Sequence, residues 1–240
     1  MILKVMLVVG SVAVFGIGCV SATGNIAPSL PLNAGEFFLE QTRETHNADD
    51  FKLLHKDIWG YETELKHNHH KKLTVNTCAD LVASIDLGYE ASQSADYGAV
   101  IIDYKICKSW QELSLFKPSH QSYLSVVNLD QNFAKRVPPQ LALIISKDDE
   151  RRLVVATNWD EMSHIVKVEA IDETSAIFVD NSGGSQRLNI RAKGDYNGDG
   201  IEDMLLSTSN TVEGGSYHSV DYFILTRLSS EASFTLLKQW

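Results

Sequence analysis

Apolar residues recur every three or four positions through much of the first half of the chain and every second position through much of the second half. Over 48–58, Phe51, Leu54 and Ile58 fall at helical spacing, and Gly60 ends the pattern. The run Lys66-His67-Asn68-His69-His70-Lys71-Lys72 offers no apolar anchor and reads as an exposed loop. Asn76 or Thr77 can cap a helix over 78–87, with Gly88 placed to end it. The longest helical stripe runs over 95–115 through Tyr97, Val100, Ile101, Tyr104, Cys107, Trp110 and Leu113, until Pro118 stops it. A third helix is expected within 141–155, with the charged 147–152 segment on its outer side.

After Trp159 the period changes. Val166, Val168 and Ala170 alternate within 164–171, as in a half-buried strand. Asp172-Glu173 reads as a turn, 176–179 as a second strand, and Asn181-Ser182-Gly183-Gly184 as a hairpin turn. Leu188, Ile190 and Ala192 then share one face, and 204–207, 220–226 and 234–237 supply further strands. The expected class is α+β, a helical N-terminal half followed by an antiparallel β-sheet C-terminal half. The expected organisation is a signal peptide over 1–22, a flexible lead-in over 23–47, a mainly helical part over 48–160 and a β-rich part over 161–240. The last two are expected to share one core.

The first residues indicate export. Lys4 is the single charge before Val5–Ile17, an uncharged run short for a membrane span but suited to a signal peptide. Val20-Ser21-Ala22 suits cleavage before Thr23, whereas Gly16-Ile17-Gly18-Cys19 is a degenerate lipobox in which Cys19 would carry a lipid anchor. Both endings place the mature protein in the periplasm, free or on an outer-membrane lipid tether, with no transmembrane segment. They leave Cys78 and Cys107 as a pair in an oxidising compartment, where a disulfide is the default and two buried thiols the alternative. A bridge over that separation stabilises by roughly 3–4 kcal/mol. Neither cysteine has a second ligand at zinc spacing. The formal charge of −10 disfavours nucleic acid and anionic membranes as partners.

The sharpest motif is Asp195-Tyr196-Asn197-Gly198-Asp199-Gly200-Ile201-Glu202-Asp203. Asp195, Asn197, Asp199 and Asp203 place side-chain oxygens at loop positions 1, 3, 5 and 9, Ile201 offers its carbonyl at position 7, and Gly200 permits the sharp turn. Such a hard-oxygen set suits Ca2+. Position 12, a bidentate glutamate in helix–loop–helix sites, is Leu206, and 204–207 reads as a strand. The loop resembles those of FG-GAP and VCBS-type repeats, in which DxNxDGxxD runs into a strand, although the chain has a single copy. More broadly, Thr77-Cys78-Ala79-Asp80-Leu81, Lys117-Pro118-Ser119, Val137-Pro138-Pro139-Gln140-Leu141, the loop and Phe223-Ile224-Leu225-Thr226-Arg227 follow an order similar to that of a secreted, largely uncharacterised Gram-negative family. Some exported proteins of that kind are immunity proteins that neutralise type VI secretion toxins, lipase effectors among them. The resemblance implies such a toxin as partner.

No G-x-S-x-G elbow, H-E-x-x-H pair or Gly-rich phosphate loop is present, and no catalytic residue is assigned. His67, His69 and His70 read as a solvated run, and His120, His164 and His218 could meet only through folding. Trp59, Trp110 and Trp159 read as core, while Trp240 could dock or help bind a partner. The segment 210–219 is long for a hairpin turn, and Glu213, Tyr217 and His218 make it the expected contact loop. The function expected is a non-catalytic periplasmic binding protein, an immunity or inhibitor protein for a secreted toxin. An envelope protein binding carbohydrate or cell wall, and a cryptic hydrolase, are the alternatives.

Overall fold

The computed structural model describes residues 25–31, 33–34, 37–38, 43–124 and 127–240; the expected signal peptide, its cleavage site and Cys19 lie outside them. A two-stranded ribbon, β1 (Asn33–Ala34) and β2 (Arg43–Glu44), precedes α1 (Ala48–Leu54). A small antiparallel sheet follows, from β3 (Thr63–Lys66), β4 (Leu73–Val75) and β5 (Glu90–Ala91), with α2 (Cys78–Asp86) between its last two strands. Then come α3 (Tyr97–Leu113) and three short helices, α4 (Gln131–Ala134), α5 (Lys147–Leu153) and α6 (Trp159–Ser163). Six strands close the fold: β6 (Ile165–Ala170), β7 (Ser175–Asp180), β8 (Gly184–Gly194), β9 (Asp203–Val212), β10 (His218–Thr226) and β11 (Thr235–Gln239). They pair antiparallel in chain order, so the protein is a mixed α+β fold.

The unbroken apolar run Met204-Leu205-Leu206 follows from the position of β9 in this sheet. A strand covered on one face alternates; a strand covered on both has no polar position to spare. Leu205 joins Ala192, Tyr222 and Ile224 in a cluster with Val100, Cys107, Trp110 and Leu113 of α3. Met204 and Leu206 point the other way, with Leu188, Phe223 and Leu225, onto Phe133, Leu141, Trp159 and Met162. The sheet is thus a middle layer, with α1–α3 and the small sheet on one side and α4–α6 on the other.

Cys78 and Cys107 form a disulfide across 29 residues, joining the start of α2 to the buried stripe of α3. Thr77 caps α2 through its side chain, and Gly88 takes the left-handed conformation beyond its end. Several sequence expectations are corrected. The small sheet interrupts the part read as mainly helical, and the 66–72 loop joins two of its strands. α1 stops at Leu54; Ile58 is exposed, while Trp59 enters the core and stacks on Phe37 at 4.5 Å. The third helix covers only Lys147–Leu153, because Ser146 and Asp149 form its capping box and Leu141 and Ala142 are buried from a 3-10 turn and the chain after it. The lead-in is tied down where it is described: Ile26 and Ser29 pair with Ser119 and Lys193.

Replacing both cysteines with alanine is expected to lower unfolding free energy by about 3–4 kcal/mol. Urea denaturation of oxidised wild type against the double variant measures the loss.

Candidate functional site

The loop between β8 and β9 is organised by its own aspartates. Asp195 accepts N–H bonds from Gly198 (2.6 Å) and Gly200 (2.9 Å), and Asp199 accepts one from Ile201 (2.8 Å). Asn197 accepts from the Asp199 N–H at 3.0 Å and donates its amide to the Asp199 carboxylate at 2.9 Å. Asp203 accepts the Tyr196 N–H on Oδ2 at 3.0 Å, closing the loop at its far end. Gly200 has φ +83°, which its place at the sharp turn requires.

Residues 117–121 form a strap along the loop. Lys117 and Asp195 exchange backbone hydrogen bonds at 2.9 Å in each direction, and the Gly200 carbonyl accepts from His120 (2.8 Å) and Gln121 (3.1 Å). Gly194 lies where lead-in, strap and loop meet. Its φ is +157°, and a Cβ there would stand 2.9 Å from Pro28 Cβ and 3.0 Å from the Lys117 carbonyl oxygen.

Asp203 carries the electrostatic cost of this arrangement. It is fully buried, and neither its Oδ1 nor the hydroxyl of the neighbouring Thr226 has a hydrogen-bond partner of ordinary geometry. Burial pushes its carboxyl up from the ordinary carboxylate range, and the Asp199 charge adds to this; the neighbouring Thr226 hydroxyl and the N–H groups of Tyr196 and Asn197 pull it back. A second buried carboxylate, Glu112 of α3, accepts hydrogen bonds from the Tyr196 hydroxyl and from Lys238 Nζ, both at 2.6 Å, tying the loop to α3 and β11. Burial and Glu112 together raise the Tyr196 phenol. Sequence reading missed Glu112; the available signal was the pair Ser109 and Glu112, three apart beside the apolar stripe, and both are buried.

Among the described residues, no three His, Cys, Asp or Glu side chains are gathered as a metal group. The three aspartates of the expected set, Asp195, Asp199 and Asp203, are therefore not drawn together into such a group. The donor chemistry fits a hard cation, and the unpartnered Asp203 oxygen is the atom a cation would satisfy.

The expected contact residues Glu213, Tyr217 and His218 are all exposed at the β9–β10 turn, each with different neighbours. β9 and β10 extend into the segment read as a loop, pairing as far as Thr211 with His218 and leaving only 213–217 as turn. Glu213 sits against Gly183 of the neighbouring turn, and the Tyr217 hydroxyl donates to Ser219 at 3.1 Å. His218 Nε2 lies 3.1 Å from Ser209 Oγ at the exposed start of β10, with no carboxylate on its ring among the described contacts. His164 forms the left-handed end of α6, His120 lies on the strap, and the rings of His67 and His70 stand 4.5 Å apart beside Tyr89.

Among the described residues no helix is long and apolar enough to cross a membrane. No protein-family model matches the chain, and neither does any curated protein or solved structure.

Gly194→Ala is expected to destabilise the fold by about 1–3 kcal/mol, since it meets both a left-handed φ and backbone crowding. Urea denaturation measures it, and Gly98→Ala, which meets nothing within 4 Å, is the control.

Proposed function

We propose that the protein is an exported, non-catalytic binding protein whose β8–β9 loop holds one calcium ion as a structural brace. Asp203 carries the metal reading, as a buried carboxylate with one oxygen unpartnered at the end of a loop of hard-oxygen donors. Asp195, Asn197, Asp199, the Ile201 carbonyl and Asp203 would hold the ion, with water completing a shell of about six to eight oxygens. The bound ion neutralises the loop's carboxylates and fixes the register between strap, loop and β9.

Calcium is expected to raise the melting temperature, with magnesium weaker because it demands a tighter octahedral shell. Asp203→Asn should abolish that gain. Without calcium, the same variant should stabilise the protein by about 1–2 kcal/mol at neutral pH, because a neutral amide replaces a buried, incompletely paired charge. Scanning calorimetry of both proteins, with calcium and with chelator, checks each arm. A wild type unmoved by millimolar calcium would sink the brace.

The partner we propose is a secreted protein toxin such as a type VI lipase effector, for which this chain acts as immunity protein. The support is the resemblance of its loop and segment order to a secreted Gram-negative family, together with the N-terminal export pattern. Mature protein used as bait in calcium buffer on periplasmic extract of the native host is expected to retain one stoichiometric protein. That protein should be toxic when expressed alone in the periplasm and harmless alongside this chain. If folded bait retains no protein with that behaviour, the immunity reading falls.

A further inference from the structure

We propose that the groove between β10, α3 and the 140–144 segment binds one neutral sugar ring. Tyr217, Ser219, Asp221 and Phe223, every second residue on one face of the strand and its approach, line it. Its volume is about 350 Å³, near the lower end of the range for small-ligand sites. A groove of about 600 Å³ beside the β6–β7 turn has no aromatic residue in its wall.

The aromatic platform is Trp240, held rigidly. One face of its ring stacks on Tyr222 at 5.4 Å and 4°, and its indole N–H donates to the Lys105 carbonyl at 3.0 Å. Its backbone exchanges hydrogen bonds with that of Tyr222, at 3.1 and 3.2 Å. Trp240 is half-buried and also lines the groove. A side chain fixed this way loses little further freedom when a ligand arrives.

The polar wall argues for a neutral ligand. Lys105 and Asp221 pair with each other inside the groove, so neither charge is left over for an ion. Around them stand hydroxyls from Tyr217 and Ser219 and amides from Gln140 and Gln239, groups that both donate and accept. A sugar ring matches this combination, with C–H groups on a face for the indole and hydroxyls of mixed donor and acceptor character at its edge.

The wall is also anchored from inside. Asp221 accepts from Asn210 at 2.6 Å, and the Asn210 amide oxygen accepts from Gln186 at 3.0 Å. Gln186 is buried and makes three further hydrogen bonds, to Leu141, Leu143 and Trp159. This chain of bonds fixes the acceptors before any ligand binds. The inference uses neither the calcium loop nor the protein partner, so it stands or falls separately from both.

Tryptophan fluorescence tests it directly. Trp59, Trp110 and Trp159 are 4%, 3% and 0% exposed, so acrylamide quenching of the folded protein reports chiefly on Trp240. Full-length mature protein is titrated with glucose, galactose and N-acetylglucosamine. At least one should give a saturable emission change and protect against acrylamide. Isothermal titration calorimetry, which does not depend on the indole, should show Trp240→Ala weakening that binding by about tenfold and Asp221→Asn weakening it in a protein of unchanged circular dichroism. Absence of any saturable change or protection with all three sugars at tens of millimolar overturns the proposal, as does binding undiminished in both variants. If Trp240→Ala fails to fold, wild-type protection together with Asp221→Asn still decides.

Discussion

Covering β9 and β10 on both faces is the constraint from which the rest of the arrangement follows. Met204, Leu205, Leu206, Phe223, Ile224 and Leu225 are all nearly inaccessible, and their side chains divide between two clusters. A single layer would leave either Leu205 and Ile224 or the other four in water, at about 25 cal/mol for each square ångström of apolar surface. The layer of α1–α3 therefore needs α4–α6 opposite it. The second layer is built with little regular structure: α4 and α6 are short, and much of the covering comes from single anchors such as Leu141, Val137 and Trp159. Gln186 makes that economy workable. Its amide meets two backbone groups of the 141–143 segment and the indole of Trp159, holding irregular chain to the sheet.

The same constraint explains why the β8–β9 loop contains buried charge. β9 begins at Asp203, inside the layer, so the last side chain of the loop is already beyond the reach of water. A carboxylate there lowers stability unless something satisfies both oxygens, and Tyr196 satisfies one. Glu112 shows the alternative solution: equally buried, it receives a phenol and an ammonium and is fully partnered. Asp195, also buried and in the same hydrogen-bonded unit, likewise accepts on both oxygens, so the unpartnered Oδ1 of Asp203 stands apart from the other two.

Much of this was legible in the sequence wherever one local rule governed a residue. The cap at Thr77, the stop at Gly88, the stripe from Val100 to Leu113 and the alternation in β8 were each set by neighbours within a turn or two. Legibility failed where burial was decided at a distance. Leu141 and Ala142 looked helical because they are apolar and followed by helix formers, but they are pinned by Gln186 and the 3-10 turn at Pro139. The 210–219 segment looked like loop because Asn210, Thr211 and Ser219 are polar, yet Asn210 is buried precisely as a hydrogen-bonding residue of the strand. The loop's donor set could be read from spacing alone. The isolation of Asp203 Oδ1 could not, because it depends on which side chains the other strands place nearby.

The two ends of β10 show how one strand can serve structure and surface at once. From Tyr222 to Thr226 every residue is buried, and the strand acts as core; from Tyr217 to Asp221 the alternate residues open onto the groove. The change occurs where β11 ends and Trp240 turns its indole back onto Lys105, leaving Asp221 without a covering layer on that side. A polar residue in the open part costs little, so Ser219 and Asp221 can be chosen for hydrogen bonding. Their geometry is still fixed, since Asn210 holds both and is itself held by Gln186 from the core. Rigidity in the buried half thus becomes preorganisation in the open half, and that coupling gives the groove a defined polar wall despite its exposed position.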